Sequence, residues 1–190
     1  LKTMLPLLIA MKIFTAITDA IGNATRSIIE FSESLHNLWT LTDETKNTIE
    51  TLGMNLRDLA FNFNVTGKEA TDAMYQIYTA TFTGAAAFEI LEQSLKGAVA
   101  GLSDVFNVAD MLTTVLNAYR MEASEAAHIN DLLFTTVKYG KTTMSELAHQ
   151  FGRLAGIAAP AGVAVEEMTA AIATLTRQGI ATDWAVTSLR

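Results

Sequence analysis

Thr66-Gly-Lys-Glu-Ala-Thr-Asp-Ala-Met-Tyr-Gln-Ile-Tyr78 is the stretch that decides the fold class. Thr66 followed three residues later by Glu69 has the form of a capping box. In it the hydroxyl accepts a first-turn N–H and the carboxylate reaches back to the cap's own N–H. Behind that start signal, Ala70, Ala73, Met74, Ile77 and Tyr78 recur at steps of three and four, which is one face of a helix. The same grammar extends in both directions. Upstream, Ile49, Leu52, Leu56, Leu59, Ala60 and Phe63 mark a helix that Asn62, Asn64 and Gly67 interrupt.

Downstream, Gly84 precedes a helix carrying Phe88, Leu91, Leu95 and Val99, which Gly101 ends. Ser103 or Asp104 caps the next, with Val105, Val108, Leu112, Val115, Leu116 and Tyr119 inward. Ser124 is read as starting a helix with Ile129, Leu133 and Val137, closed by Gly140. Thr143 and Glu146 repeat the capping-box spacing ahead of Leu147, Phe151 and Leu154. After Pro160 and Gly162, Val165, Met168, Ile172 and Leu175 form a further face, stopped by Gly179, and Thr182 caps a last helix. No segment alternates with a period of two, so no sheet is expected.

The expected fold is therefore all-α: a bundle of about eight short amphipathic helices, preceded by a longer apolar N-terminal helix. The expected division is residues 1–38 for that helix and 39–190 for the bundle. Connections of two to six residues predict that helices adjacent in sequence are antiparallel neighbours. No apolar heptad is read as sustained over three or four repeats, which favours a globular bundle over a rod. A shared cadence, Met74 with Tyr78, Met111 with Val115 and Met168 with Ile172, resembles a helical repeat, although amphipathic helices of equal length also look alike.

Composition narrows the function. Half of the 190 residues are hydrophobic and 17% are charged, which excludes a disordered chain. Cysteine is absent, so disulfides and thiolate metal sites are excluded. Thirteen basic against twenty acidic residues give a net charge of −7. Stable nucleic-acid binding needs the opposite balance and is not expected.

The N-terminal run Met4 to Met11, with Ile13, Phe14, Ile17 and Ile21, is the most apolar part of the chain. Lys12 and Asp19 interrupt it, so it reads as a partly buried helix or the stump of a longer apolar one; the alternative is a truncated membrane segment. The chain opens without methionine and stops at Arg190 within a helical pattern, which is read as a segment of a larger protein, truncated at its C-terminal end.

No catalytic constellation emerges. His36, His128 and His149 lack zinc spacing and read as solvated or locally bonded, with Glu33 and Asp131 near the first two. Glu166 and Glu167 point apart on a helix, so they read as first-turn carboxylates favoured by the helix dipole. Gly152 and Gly156 form a GxxxG, read as a close helix approach; the alternative is a membrane-active loop over 154–165. The eight methionines read as core filling. No catalytic residue, cofactor or metal is assigned.

From about Phe31 to Arg190, the chain resembles the core region of phage tail tape measure proteins. The likeness rests on an ordered series: Thr66 to Tyr78; Val108-Ala-Asp-Met-Leu112 through Tyr119; Glu125 to Leu133; Lys141 to Leu147; and Leu154 to Gly162, Val165 to Met168 and Leu175 to Arg190. Ala164, where a serine or threonine is usual, and the alanine-rich stretch Thr83 to Phe88 depart from the pattern. The resemblance implies a non-enzymatic structural protein that sets tail length during assembly and occupies the tube lumen until ejection. Its implied locations are the virion tail and, during assembly, the host cytoplasm. Implied partners are sister copies, the tail tube protein, the tail assembly chaperone and tail-tip proteins. Host-membrane contact at ejection, through residues 1–21 or 154–165, is an open expectation. The alternatives are a cellular all-α adaptor that buries a partner helix in a Met-rich groove and a cell-wall hydrolase, for which no Glu or Asp has the required context.

Overall fold

The computed structural model describes residues 4–42 and 45–190, with the side chains of 4–11, 13, 14 and 17 outside that description. The expectation that the Met4–Met11 run, Ile13, Phe14 and Ile17 are partly buried lies outside the described residues. Nine α-helices and one 3-10 turn (Ala123–Glu125) form among the described residues, with no strand. The helices are α1 (Met4–Trp39), α2 (Lys46–Asn62), α3 (Gly67–Thr79), α4 (Gly84–Gly101), α5 (Val105–Tyr119), α6 (Ala126–Tyr139), α7 (Met144–Ala158), α8 (Val165–Arg177) and α9 (Thr182–Ser188). The all-α expectation holds.

Side-chain caps open α2, α3, α5 and α7. Thr66 and Glu69 form the full capping box, with the Thr66 N–H donating to the carboxylate at 2.8 Å and the Glu69 N–H to the hydroxyl at 3.1 Å. Asp104, rather than Ser103, caps α5 by accepting the Asn107 N–H at 3.1 Å. Ala164 leaves the α8 start without a side-chain cap.

Three readings need correction. Ser124 does not open α6: the chain first makes a 3-10 turn, and the helix begins at Ala126 with no side-chain cap. Thr182 is the first residue inside α9 and not its cap, which is Ala181. Its hydroxyl instead donates to Glu146 Oε2 at 2.7 Å, so a tertiary acceptor outcompetes the local one. The second capping box is therefore half made. Thr143 Oγ1 accepts the Glu146 N–H at 3.2 Å, while the Glu146 carboxylate serves Thr142 and Thr182.

Packing follows two rows rather than simple sequence order. In one row α1 lies against α3, α3 against α5, α5 against α7 and α7 against α9. In the other, α4 lies against α6 and α6 against α8, while α2 flanks α3. From α5 onward, alternate helices pack more extensively than successive ones. This corrects the expectation of sequential neighbours there. The connections are short, but each one crosses between rows. Met74 and Met111 belong to the first row and Met168 to the second, so their shared cadence does not mark equivalent positions.

One core runs through both rows. Leu56, Met74, Ile77, Leu91, Leu95, Leu112, Leu116, Ile129, Phe151 and Ile172 are buried in it. Five buried hydroxyls are satisfied within their own helices: Thr71 donates to the Gly67 carbonyl, Ser94 to Ile90, Thr113 to Ala109, Thr136 to Leu132 and Thr176 to Ile172, each at 2.8 Å. Gly152 supports the close approach of α7 to α5, since a Cβ there would lie 3.1 Å from the Thr114 methyl. Gly156 would meet nothing within 4 Å, so only half of the GxxxG is used.

The heptad reading also changes. Leu7, Phe14, Ile21, Ile28 and Leu35 fall seven apart, and Ala10, Ile17, Ala24, Phe31 and Leu38 follow each by three. That a/d register spans most of α1. Alanine at two of the d positions disguises it in a reading by large side chains.

Candidate interaction surface

Apart from His128 and Glu166, the titratable residues singled out in the sequence do not converge. His36 meets the Trp39 ring edge-on at 6.1 Å between centroids, on α1. His149 lines a shallow cleft with Lys141, Glu146, Gln150 and Asp183, on another side of the bundle. Among the described residues, no three His, Asp or Glu side chains come together as a metal-ligand set. No helix among them is long and apolar enough to cross a membrane.

His128 is the exception to the local reading of the histidines. Its Nε2 lies 2.9 Å from Glu166 Oε1, across 38 residues, joining α6 to the first turn of α8. Asp131, its neighbour in sequence, is not the partner. The His128 hydrogen bond, then the backbone N–H of Glu166 itself, holds that carboxyl below the usual glutamate range. Beside it, the Tyr119 hydroxyl donates to the Val163 carbonyl at 2.9 Å, and burial, then the Glu166 charge, pushes that phenol up. The cluster ties α5, α6 and the α7–α8 loop together without presenting a nucleophile.

A carboxyl held low in the folded state adds stability at neutral pH, and that contribution fades as pH falls through its folded-state value. Thermal unfolding of Glu166→Gln is therefore expected to lag the wild type most near neutrality and to match it in acid. Both side chains are about half exposed, so the difference should not exceed about 1 kcal/mol. A gap that widens in acid would contradict this assignment.

Other single polar bonds join neighbouring helices within each row: Asn130 Nδ2 donates to the Gln93 carbonyl at 2.7 Å, and Asn117 Nδ2 to the Ala80 carbonyl at 3.1 Å. Asn130 reaches α4 where Gly97 leaves room; a Cβ at 97 would lie 2.9 Å from Asn130 Oδ1. These are joints between helices, and sequence spacing gave no sign of them.

An open groove of about 860 Å³ lies between α2 and the start of α4. Ile49, Leu52 and Phe88 supply its apolar lining, and Asn47, Thr48 and Asn55 its polar one. Among the described residues that line it there is no histidine, carboxylate or lysine.

Comparison with known proteins places the sequence in a family. A sequence model of the phage-related minor tail protein family matches residues 46–190. The probable tape measure protein of Clostridium phage phiCD119 is 25% identical over 162 residues, covering 83% of this chain and 17% of that protein. The tape measure protein of Pneumococcus phage Dp-1 is 23% identical over 177 residues, covering 93% of this chain and 15% of its own length. The chain thus spans about a sixth of the length of either relative. No solved structure matches it. By its family match and its all-helical build, the chain belongs to the phage-related minor tail proteins and is a structural protein of the phage tail.

Proposed function

We propose that this chain is part of a tape measure protein that sets tail length during assembly and occupies the tube lumen until ejection. The observation that carries the reading is the alignment of most of this chain within two proteins that bear that name. An α-helix rises about 1.5 Å per residue, so a long helical chain converts residue number into tube length. Residues 39–190, broken into short helices, are a folded module attached to that ruler, not the ruler itself. Its role is non-catalytic, and its partners are sister copies, the tail tube protein, the tail assembly chaperone and tail-tip proteins.

A compact chain of this length has a radius of gyration of roughly 16 Å. A body so wide, about 40 Å across, fits tightly in a narrow tube. The module therefore packs lengthwise with sister copies or unfolds in part on ejection. Contact of residues 154–165 with a host membrane would require such opening, because Leu154, Ala155, Ala158 and Val165 are in the core.

The test is electron cryomicroscopy, with mass spectrometry of purified tails, before and after DNA release. The segment is expected within intact tails and depleted after ejection. Its absence from intact tails would overturn the proposal.

A further inference from the structure

Five buried hydroxyls donate back into their own helices, and Ser34 does not. It sits on α1 with 6% of its surface exposed, in the row where α1 packs on α3 and α3 on α5. With Asn37 and Thr40 of α1, Asp72 and Tyr75 of α3 and Phe106 of α5, it lines an open pocket of about 270 Å³. Among the described residues, the Ser34 hydroxyl, the Asn37 side-chain amide and the Tyr75 hydroxyl make no hydrogen bond. Lys68 pairs with Asp72 through Oδ2, leaving Oδ1 unpaired. One turn further along both helices, Gln76 Nε2 donates to Asp110 Oδ1 at 2.5 Å and ties α3 to α5. A hydroxyl this buried that its own fold leaves unpaired is available to a ligand.

The lining selects that ligand by its chemistry. Among the lining residues only Asp72 is charged, so an anion has nothing to pair with and a cation does. The Asp72 hydrogen bond, against the cost of burial, and then the charges of Asp72, Glu30 and Glu69 push the Lys68 ammonium up, so the surroundings of Asp72 are negative. A bare metal ion would find one carboxylate, short of a ligand set. An apolar body would leave the Ser34, Asn37 and Tyr75 oxygens unpaired. Two rings, Tyr75 and the 40%-exposed Phe106, complete the lining. A planar cation rich in N–H groups meets every condition: it forks onto a carboxylate, donates to neutral oxygens and stacks on aromatic faces. An ammonium is a compact point charge and meets only the first two.

We propose that this pocket is a binding site for a guanidinium group, held by Asp72 and by the Ser34, Asn37 and Tyr75 oxygens, with the Phe106 ring against its plane. A pocket of this volume takes one head group with its alkyl stem. The source is an arginine side chain of another protein or a small free guanidine. The inference does not depend on the tail reading, so either can fail without the other.

The test is a titration of the whole chain, followed by proton–nitrogen correlation NMR, with the capped peptide Ala-Ala-Arg-Ala-Ala and with agmatine. Saturable shifts of the Asn37 side-chain amide are expected with both probes. Tighter binding of the peptide assigns a protein source, and tighter binding of agmatine a free one. The same peptide with citrulline, which keeps the shape and loses the charge, is expected to cause no saturable shift. Asp72→Asn and Phe106→Leu, checked for fold by circular dichroism, are each expected to weaken binding, the first by about tenfold or more. Glu33→Gln removes an equal charge from α1 outside the pocket lining and is expected to bind as the wild type does. No saturable shift with either probe, equal binding of the citrulline peptide or of a lysine peptide, or wild-type binding by Asp72→Asn would overturn the proposal. So would an equal loss in Glu33→Gln, which would reduce the effect to the overall negative charge of the chain.

Discussion

Phe151→Ala is expected to destabilise the protein by about 3–5 kcal/mol. The ring sits on α7 with no exposed surface, and α7 against α5 is the most extensive helix pairing among the described residues. Truncation removes the transfer free energy of the ring and leaves a hole that two rows of helices must either tolerate or collapse around. For a chain of this size each kcal/mol lowers the melting temperature by about 2–4 °C, so a drop of about 10 °C is expected in thermal unfolding. Phe61→Ala is the reference: that ring is 84% exposed on α2, and its loss should stay within about 0.5 kcal/mol. Equal effects of the two would mean that α7 is not where the core is.

Gly140→Ala should cost about 1–3 kcal/mol through overpacking. A Cβ at this position would fall 2.5 Å from Thr176 Oγ1, 2.8 Å from the Thr136 carbonyl oxygen and 3.1 Å from the Ala173 Cα. Two of the three are backbone atoms and cannot rotate aside. The third accepts the Lys141 N–H at 3.3 Å, so displacing it also loosens the turn into α7. Gly140 has φ −94° and ψ −179°, which any L residue adopts, so the penalty is steric and not conformational. Gly22→Ala separates the two effects. It lies on exposed helix with nothing within 4 Å of a new Cβ, and the substitution should stabilise by about 0.5–1 kcal/mol. Urea unfolding of both variants would show opposite signs; a neutral Gly140→Ala would mean that α6 and α8 are farther apart than described.

These predictions rest on contacts of different legibility. The Thr66–Glu69 box and the Asp104 cap were readable because donor and acceptor lie within three residues, and the chain's own geometry brings them together. The apolar faces were readable for the same reason, since Ala70, Ala73, Met74 and Ile77 need only a helix to align. The His128–Glu166 and Thr182–Glu146 bonds were not, because they exist only once two helices from different parts of the chain have met. Two helix ends were also hidden: Leu102 and Arg120 take the left-handed conformation where glycine would be the usual signal, at φ 50° and 54°. The α1 register was present in the sequence but obscured, because Ala10 and Ala24 occupy seam positions that a search for large residues skips.

The internal bonding of Thr71, Ser94, Thr113, Thr136 and Thr176 has a mechanical corollary. A rod drawn out of this assembly uncovers grease, yet takes its hydroxyl partners with it. Dismantling one cylinder at a time therefore costs mainly hydrocarbon wetting plus the few bonds that tie rods to one another, such as Thr182 to Glu146 and Asn130 to Gln93.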